Sequence, residues 1–96
     1  MLIPLIRIVS TGRDFSLSQI FVNVSQIIYI QEDLNFKRKL KEGIVSLDLH
    51  QSTGFSRIKL DNGGLTEEVV VVGEPEIIKA KIDSHHYKFK KALLQG

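Results

Sequence analysis

The chain has 96 residues, of which 43% are hydrophobic and 25% are charged, and it contains no cysteine. The length predicts one domain spanning residues 1–96, and the composition is that of a globular protein rather than a disordered one. The lack of cysteine excludes disulfides, thiolate metal sites and cysteine nucleophiles. A net charge of +2 is too small to indicate a nucleic-acid partner by itself. No apolar run reaches the ~20 residues of a membrane helix.

The first third of the chain has the composition of strands. Residues 2–9 are apolar and lack the basic start and cleavage site of a signal peptide, so they predict a strand. Pro4 cannot donate to a sheet ladder, which predicts either an edge strand or an irregular strand start. A turn is predicted at residues 10–14, a short strand that breaks around Asn23 at residues 15–24, and a firmer strand at residues 27–31.

The middle of the chain is more polar. Residues 33–43 predict either a long hairpin loop or one marginal helical turn. Residues 44–50 alternate between apolar and polar side chains, which predicts a half-buried strand. Residues 55–61 alternate again, and the Asn-Gly-Gly sequence at residues 62–64 predicts a hairpin. The strand that follows, residues 65–72, ends in four consecutive valines, which suits a strand covered on both faces.

The period becomes helical after Gly73. Pro75 suits the first helical turn, and the acids on either side of it favour the positive end of the helix dipole. Residues 84–96 predict either an extension of this helix or a mobile tail. The element order predicts an α+β fold, a small and mostly antiparallel sheet of about five or six strands with one C-terminal helix. A partly open barrel is the alternative.

The sequence contains no catalytic motif. It has no nucleophile elbow, no phosphate-binding glycine loop and no dinucleotide fingerprint. His85 and His86 are adjacent and would diverge by about 100° on a helix, so they would not share a metal ion. Asp83 is near enough to orient one of them and His50 could come close in space, but surface histidines are the ordinary explanation and no spacing supports a catalytic triad. We expect a protein that is not an enzyme, with no metal, no cofactor and no small-molecule substrate.

Two apolar sets predict association with another protein or with further copies of the chain. One is the presumed edge strand at residues 2–9, and the other lies near the C-terminus. The predicted partner-binding residues are Leu2, Leu5, Arg7, Tyr87, Phe89 and Leu93.

Basic residues form two clusters, each beside an aromatic residue, Phe36 or Tyr87. Basic groups bind phosphates and aromatic rings stack on bases, so a nucleic-acid-binding regulatory protein is the alternative function. Five acids between residues 61 and 76 would repel a phosphate backbone on that side. The residues predicted for this function are Lys37, Arg38, Lys39, Lys41, Lys88, Lys90 and Lys91.

Several segments resemble the small FlbD-type flagellar and swarming-motility proteins, and residues 58–79 also resemble the strand portion of a LytTR-type DNA-binding domain. The segments that carry the first resemblance are residues 6–8 with Gly12 and Phe15, residues 22–30, residues 58–63, residues 69–72 and residues 75–79. The resemblance implies a small sheet with a terminal helix and a non-enzymatic regulatory or assembly role.

The chain departs from the FlbD-type pattern in three places. It carries an insertion around residues 16–21, a charged loop with an extra strand at residues 33–50, and a longer tail. The flagellar role is therefore not transferred, and an accessory or structural protein of a phage or mobile element is a further alternative. We expect a cytoplasmic protein, or a virion-associated one if a phage encodes it.

Overall fold

The computed structural model describes the backbone of residues 1–95 and the side chains of residues 1–85. Its strands form one five-stranded sheet in the order β2-β1-β5-β4-β3, in which every neighbouring pair is antiparallel. The elements in chain order are β1 (Leu2–Thr11), β2 (Asp14–Asn23), a 3-10 turn (Val24–Gln26), β3 (Ile27–Glu32), α1 (Leu34–Lys41), β4 (Phe55–Asp61), β5 (Thr66–Val72) and α2 (Pro75–Gln95). The sheet is open. The prediction of a small α+β fold is therefore confirmed, and the sheet does not close into the alternative barrel.

β1 and β2 form a regular hairpin. All ten residues of each strand are paired, from Leu2 opposite Asn23 to Thr11 opposite Asp14. The two turn residues begin with Gly12 at φ +80°, the conformation that a type II′ hairpin turn requires at its first position. The second strand ends at Asn23, where a break was predicted, and the 3-10 turn follows it, but at ten residues the strand is longer than predicted.

The prediction that residues 2–9 lie at a sheet edge is wrong. β1 lies between β2 and β5, so the edges of the sheet are β2 and β3. Pro4 is tolerated because β1 and β5 pair at Arg7 and Val71, and this antiparallel register puts Pro4 beyond the end of β5 at Val72. The missing N–H group therefore lies outside the ladder between β1 and β5, so proline removes no hydrogen bond of that ladder.

β3, β4 and β5 form an antiparallel meander. The predicted hairpin at residues 62–64 is confirmed: Gly63 and Gly64 have φ of +70° and +99°, and the Asn62 amide donates to the Leu65 carbonyl at 2.8 Å. The register of β3 against β4 shifts between Ile27 and Tyr29, which marks a bulge or irregularity in β3. The meander meets the β1–β2 hairpin through one bridging pair, Arg7 with Val71.

One face of the sheet packs against α2, and we call it the α2 face. Ile78 of α2 is fully buried there, and Ile82 packs beside it one turn later. The buried strand residues of this cluster come from both the hairpin and the meander: Ile3, Leu5, Val22, Ile58, Val69 and Val71. The prediction that a helix begins near Pro75 and covers one sheet face is confirmed.

The opposite face, called the α1 face, has a second core. Phe36 and Leu40 of α1 pack there with Val45 and Phe55, and Ile8, Phe15, Leu47, Leu49, Val70 and Val72 surround them. The Phe36 ring makes edge-to-face contacts with Phe15 at 5.4 Å and with Phe55 at 4.9 Å between centroids. Both faces of β5 are therefore covered, as its four valines predicted.

Two predictions for the middle of the chain are wrong. The segment after Asp33 is a regular eight-residue helix, not a loop or a marginal turn, so the described residues hold two α-helices instead of one. Residues 44–50 form no strand. Their alternation is real, since Val45 is buried and Leu47 is half-buried, but the Ile44 and Val45 amides donate to the Lys39 carbonyl instead of to a neighbouring strand.

Within the part of the chain that the structure describes, neither helix combines the length and the apolar character needed to cross a bilayer.

Candidate functional site

The open edge of β2 presents unpaired backbone groups. Thr11 and Asp14 flank a two-residue turn, so they exchange both of their hydrogen bonds. Because inward and outward directions alternate along a strand, the even-numbered residues of β2 bond to β1 and the odd-numbered residues direct N–H and C=O away from the sheet. The outward set is Phe15, Leu17, Gln19, Phe21 and Asn23.

The β2 edge carries few of the features that keep sheet edges apart. In natural proteins, charged side chains, proline, bulges or a short strand protect a sheet edge from pairing with another chain. β2 is ten residues long with an unbroken register, has no proline, and its only charged residue is Asp14 beside the turn. β3, the other edge, has six residues, an irregular register and Glu32 at its end. β2 is therefore the edge better suited to pairing with another strand.

Apolar side chains lie exposed beside this edge. Phe21 is 64% exposed and Leu2 is 58% exposed. Phe21 pairs with Pro4, and Leu2 pairs with Asn23, at the end of the hairpin far from its turn. α1 packs at the other end, against Phe15 and Ile8, so it leaves this end of the α1 face open. A partner strand that pairs with β2 would lie directly beside Phe21.

The residues predicted to bind a partner differ in their exposure to solvent. Leu2 is exposed, but Leu5 is only 1% exposed in the core, so its assignment to a binding surface is wrong. Leu5 points to the α2 face, where the cluster around Ile78 encloses it. Arg7 is half-buried, and its Nε atom is buried without a hydrogen-bond partner among the described residues. The side chains of Tyr87, Phe89 and Leu93 lie outside the described residues.

Four of the predicted basic residues lie on α1. Lys37 Nζ pairs with Glu74 Oε1 at 3.5 Å, and Arg38 donates to Asn35 Oδ1 at 3.2 Å. Lys41 is exposed and Lys39 is half-buried. The side chains of Lys88, Lys90 and Lys91 lie outside the described residues.

An exposed side of α1 borders two shallow hollows. One, of about 520 Å³, is lined by Leu34, Lys37, Arg38, Lys41 and Glu42. The second, of about 340 Å³, lies between Lys37 and Lys41 of α1 and the loop at residues 50–52. Lys37 and Lys41 line both hollows, so they form the centre of one basic surface.

A third hollow lies between the edge strand β3 and the start of α2. It has a volume of about 380 Å³ and is lined by residues 27–30 together with Pro75, Glu76 and Lys79. Ile28, at the register shift, is 52% exposed, and Lys59 lies 5.9 Å from the centre of the Tyr29 ring. The shift interrupts regular pairing along this edge, which makes it less suited than β2 to strand addition.

The described histidines make local contacts. His50 Nδ1 lies 2.6 Å from Ser52 Oγ, and His85 Nδ1 lies 2.9 Å from the Lys81 carbonyl. No group of three histidine, aspartate or glutamate side chains within residues 1–85 is arranged to hold a metal ion. Ser52 and His50 both line the second hollow, but none of the residues lining that hollow is an acid that could orient the imidazole, as acyl transfer requires.

No family model, curated protein or solved structure matches this chain.

Sequence reasoning missed the β2 edge because it assigned the edge to residues 2–9. A signal was present, however. Residues 15–24 carry no charged side chain, although one residue in four of the whole chain is charged. Because charged side chains are a common protection of sheet edges, a charge-free strand is unprotected when it lies at an edge.

Proposed function

We propose that this protein is a non-enzymatic association module that pairs with another polypeptide through the open edge of β2. The observation that carries the proposal is the ten-residue, regular and almost uncharged edge that β2 presents. Extended segments bind such edges by adding a strand, with backbone hydrogen bonds supplying affinity and alternate side chains supplying specificity.

The chemistry of the edge supports strand addition. The odd-numbered residues from Phe15 to Asn23 offer backbone donors and acceptors, and each new hydrogen bond contributes about 0.5–1.5 kcal/mol net. Phe21, at 64% exposure, adds apolar area that a partner side chain would remove from water. Pairing along most of the strand therefore provides both a polar and an apolar contribution to binding.

A lysine at the centre of the edge tests the proposal. Gln19 is exposed at mid-strand, so Gln19→Lys should leave the fold intact while introducing the residue that natural sheets use to block edge pairing. The matched control is Gln51→Lys, the same change in an exposed loop. Thermal unfolding of both variants would verify that they fold.

The measurements are light scattering across a concentration series and affinity capture with the tagged protein. We expect the wild type and the Gln51→Lys variant to associate, and the Gln19→Lys variant to lose at least about tenfold in affinity, equivalent to 1.4 kcal/mol. A wild-type protein that neither self-associates nor captures a partner, or one whose association survives Gln19→Lys, would contradict the proposal.

The basic surface on α1 favours nucleic-acid binding as a second candidate function. Lys37, Arg38 and Lys41 line a common hollow with the exposed Leu34 side chain. The ion pair between Lys37 and Glu74 reduces the positive charge available there. This candidate therefore depends mainly on Arg38 and Lys41.

Double substitution of Arg38 and Lys41 by alanine should reduce affinity for a DNA or RNA oligomer, and should flatten its dependence on salt concentration, because fewer phosphates would be neutralised. The matched control is Lys79→Ala, which removes a lysine paired with Asp83 on α2. Equal binding by the double variant and the control, or no binding by the wild type at low salt, would exclude this candidate.

A further inference from the structure

We infer that the strand added to β2 is β2 of a second copy of this chain, in an antiparallel twofold pair centred on Gln19. The inference rests on the proposed function and specifies its partner. In this arrangement Gln19 lies opposite Gln19 of the partner copy on the symmetry axis, and the two sheets form one continuous ten-stranded sheet. The following observations select the partner strand and its register.

The sequence of the outward edge is compatible with a copy of itself. Two copies of one edge repel each other when like charges meet at the junction. From Phe15 to Asn23 the edge has no charged residue, and Asp14 lies outside this stretch. A twofold contact also requires the same surface on both copies, and β2 provides a regular surface whereas β3 has an irregular register.

The faces of the sheet restrict the register. Paired residues must lie on the same face, so odd-numbered residues of β2 pair with odd-numbered residues of the partner copy and even-numbered with even-numbered. Centring on Gln19 puts Leu17 opposite Phe21, and Phe21 opposite Leu17, of the partner copy. Each exposed Phe21 ring then gains an apolar cross-strand neighbour, a favourable kind of pair in antiparallel sheets.

The neighbouring registers are less favourable. Centring on Ser18 would put Phe21 opposite Phe15, whose ring already packs against Phe36, and it would also put the Asp14 carboxylate opposite Val22, which is buried at 3% exposure. Centring on Ile20 would put Phe21 opposite Gln19 and Leu17 opposite Asn23, so that both apolar side chains would face amides. The register centred on Gln19 pairs residues 15–23 completely and keeps Asp14 outside the contact.

A charge-swap experiment tests both the partner and the axis. Gln19→Lys alone and Gln19→Glu alone would each bring like charges together at the axis, so each variant should self-associate at least about tenfold more weakly than the wild type. An equimolar mixture should form the mixed dimer, because lysine then faces glutamate. The matched control is the pair Gln31→Lys and Gln31→Glu on β3, whose self-association should remain that of the wild type.

Distance measurement tests the register. The chain has no cysteine, so Ser16→Cys introduces a single site for a spin label. At ~3.4 Å per residue, the two labelled backbones should lie about 20 Å apart in the register centred on Gln19. The same spacing gives about 14 Å for a centre at Ser18 and about 27 Å for a centre at Ile20.

Amide exchange measured by NMR provides an independent readout. On raising the concentration, the outward amides of Leu17, Gln19 and Phe21 should exchange more slowly, while the amides of Ser18 and Ile20, already bonded to β1, should change little. Slowing confined to β3 would overturn the inference.

Failure of this inference can be distinguished from failure of the proposed function. A monomeric wild type that captures another protein through a contact sensitive to Gln19→Lys would overturn the second-copy partner but leave edge association standing. A dimer insensitive to Gln19→Lys would overturn both. The register would be overturned by a third result. In it, Gln19→Lys weakens the dimer, mixing the Gln19→Lys and Gln19→Glu variants does not restore it, and the labels at Ser16→Cys lie about 14 or 27 Å apart.

Discussion

Asp33 is a buried carboxylate whose two oxygens have separate partners. Oδ1 accepts the Phe36 amide at 2.9 Å and so caps the start of α1, and Oδ2 accepts from Arg57 at 3.2 Å. Arg57 in turn lies 3.6 Å from Glu68 on β5. One side chain thus joins the helix on the α1 face to the strands beneath it.

Two substitutions of Asp33 should distinguish the contribution of its helix cap to stability from the contribution of its charge. Asp33→Ala removes the cap and the partner of Arg57, and should lower the free energy of unfolding by about 2 kcal/mol. Asp33→Asn keeps a capping oxygen, and because Arg57 is 42% exposed its charge partner matters less, so the loss should be about half as large. Urea denaturation would measure both, and equal losses would show that the cap contributes nothing.

Gly54 is buried where β4 begins, and its carbonyl accepts the Gly73 amide at 2.8 Å. A Cβ at this position would collide with the Glu74 side chain, the partner of Lys37. Gly54→Ala should therefore lower the free energy of unfolding by about 1–3 kcal/mol.

Removing the obstructing side chain should relieve this loss. In a double-mutant cycle, Gly54→Ala should be much less destabilising in a Glu74→Ala background than in the wild type. Denaturant titration of the four proteins would give the coupling, and additive losses would show that the collision with Glu74 is not the cause.

At the scale of elements, α1 and the segment after it were predicted poorly for different reasons. The signals of α1 were in the sequence: Asp33 as an N-cap and Phe36 and Leu40 four residues apart. The lysines and Arg38 among them made the segment look like a solvated loop. Residues 44–50 have a genuine period-two pattern, but periodicity reports burial and not whether a neighbouring strand is available for pairing.

The role of α1 as a cover for the sheet predicts unequal effects of two substitutions on the same helix. Phe36 is 8% exposed and lies against two aromatic rings, whereas Leu34 is 64% exposed. Phe36→Ala should lower the free energy of unfolding by about 3–5 kcal/mol, and Leu34→Ala by less than about 0.5 kcal/mol. Urea denaturation followed by circular dichroism would decide, and similar losses would contradict the assignment of this face.

At the scale of the whole molecule, packing joins the hairpin to the meander more than backbone pairing does. β1 and β5 share the single bridging pair of Arg7 with Val71. The cluster on the α2 face, however, takes residues from both parts and encloses Ile78, which is fully buried. The two parts should therefore unfold together.

Neighbouring isoleucines on α2 test this cooperativity. Ile78→Ala should lower the free energy of unfolding by about 2–5 kcal/mol, and amides in both the hairpin and the meander should lose protection against exchange. Ile77 is 51% exposed, so Ile77→Ala should cost less than about 0.5 kcal/mol. Loss of protection in only one part after Ile78→Ala would show that the two parts unfold separately.

The sequence predicted the α+β class, the hairpin turn at residues 62–64 and the helix start at Pro75 because each depends on local chemistry. It did not predict which strand lies at the edge, since strand order is set by contacts between distant residues. Pro4 is an example, because it led to the wrong prediction that residues 2–9 form an edge strand. A proline, which has no N–H group, is tolerated in an edge strand and also at the end of an interior strand that extends beyond its neighbour.

The irregular register of β3 has a consequence for assembly size. A sheet with two equally receptive edges could join head to tail, with β2 of each copy on β3 of the next, and such heterologous contacts grow into fibres when they do not close. The shift between Ile27 and Tyr29 disrupts one of the two edges. Restoring a regular β3 by deleting Ile28 should therefore convert a discrete particle into one that polymerises, visible as filaments by electron microscopy.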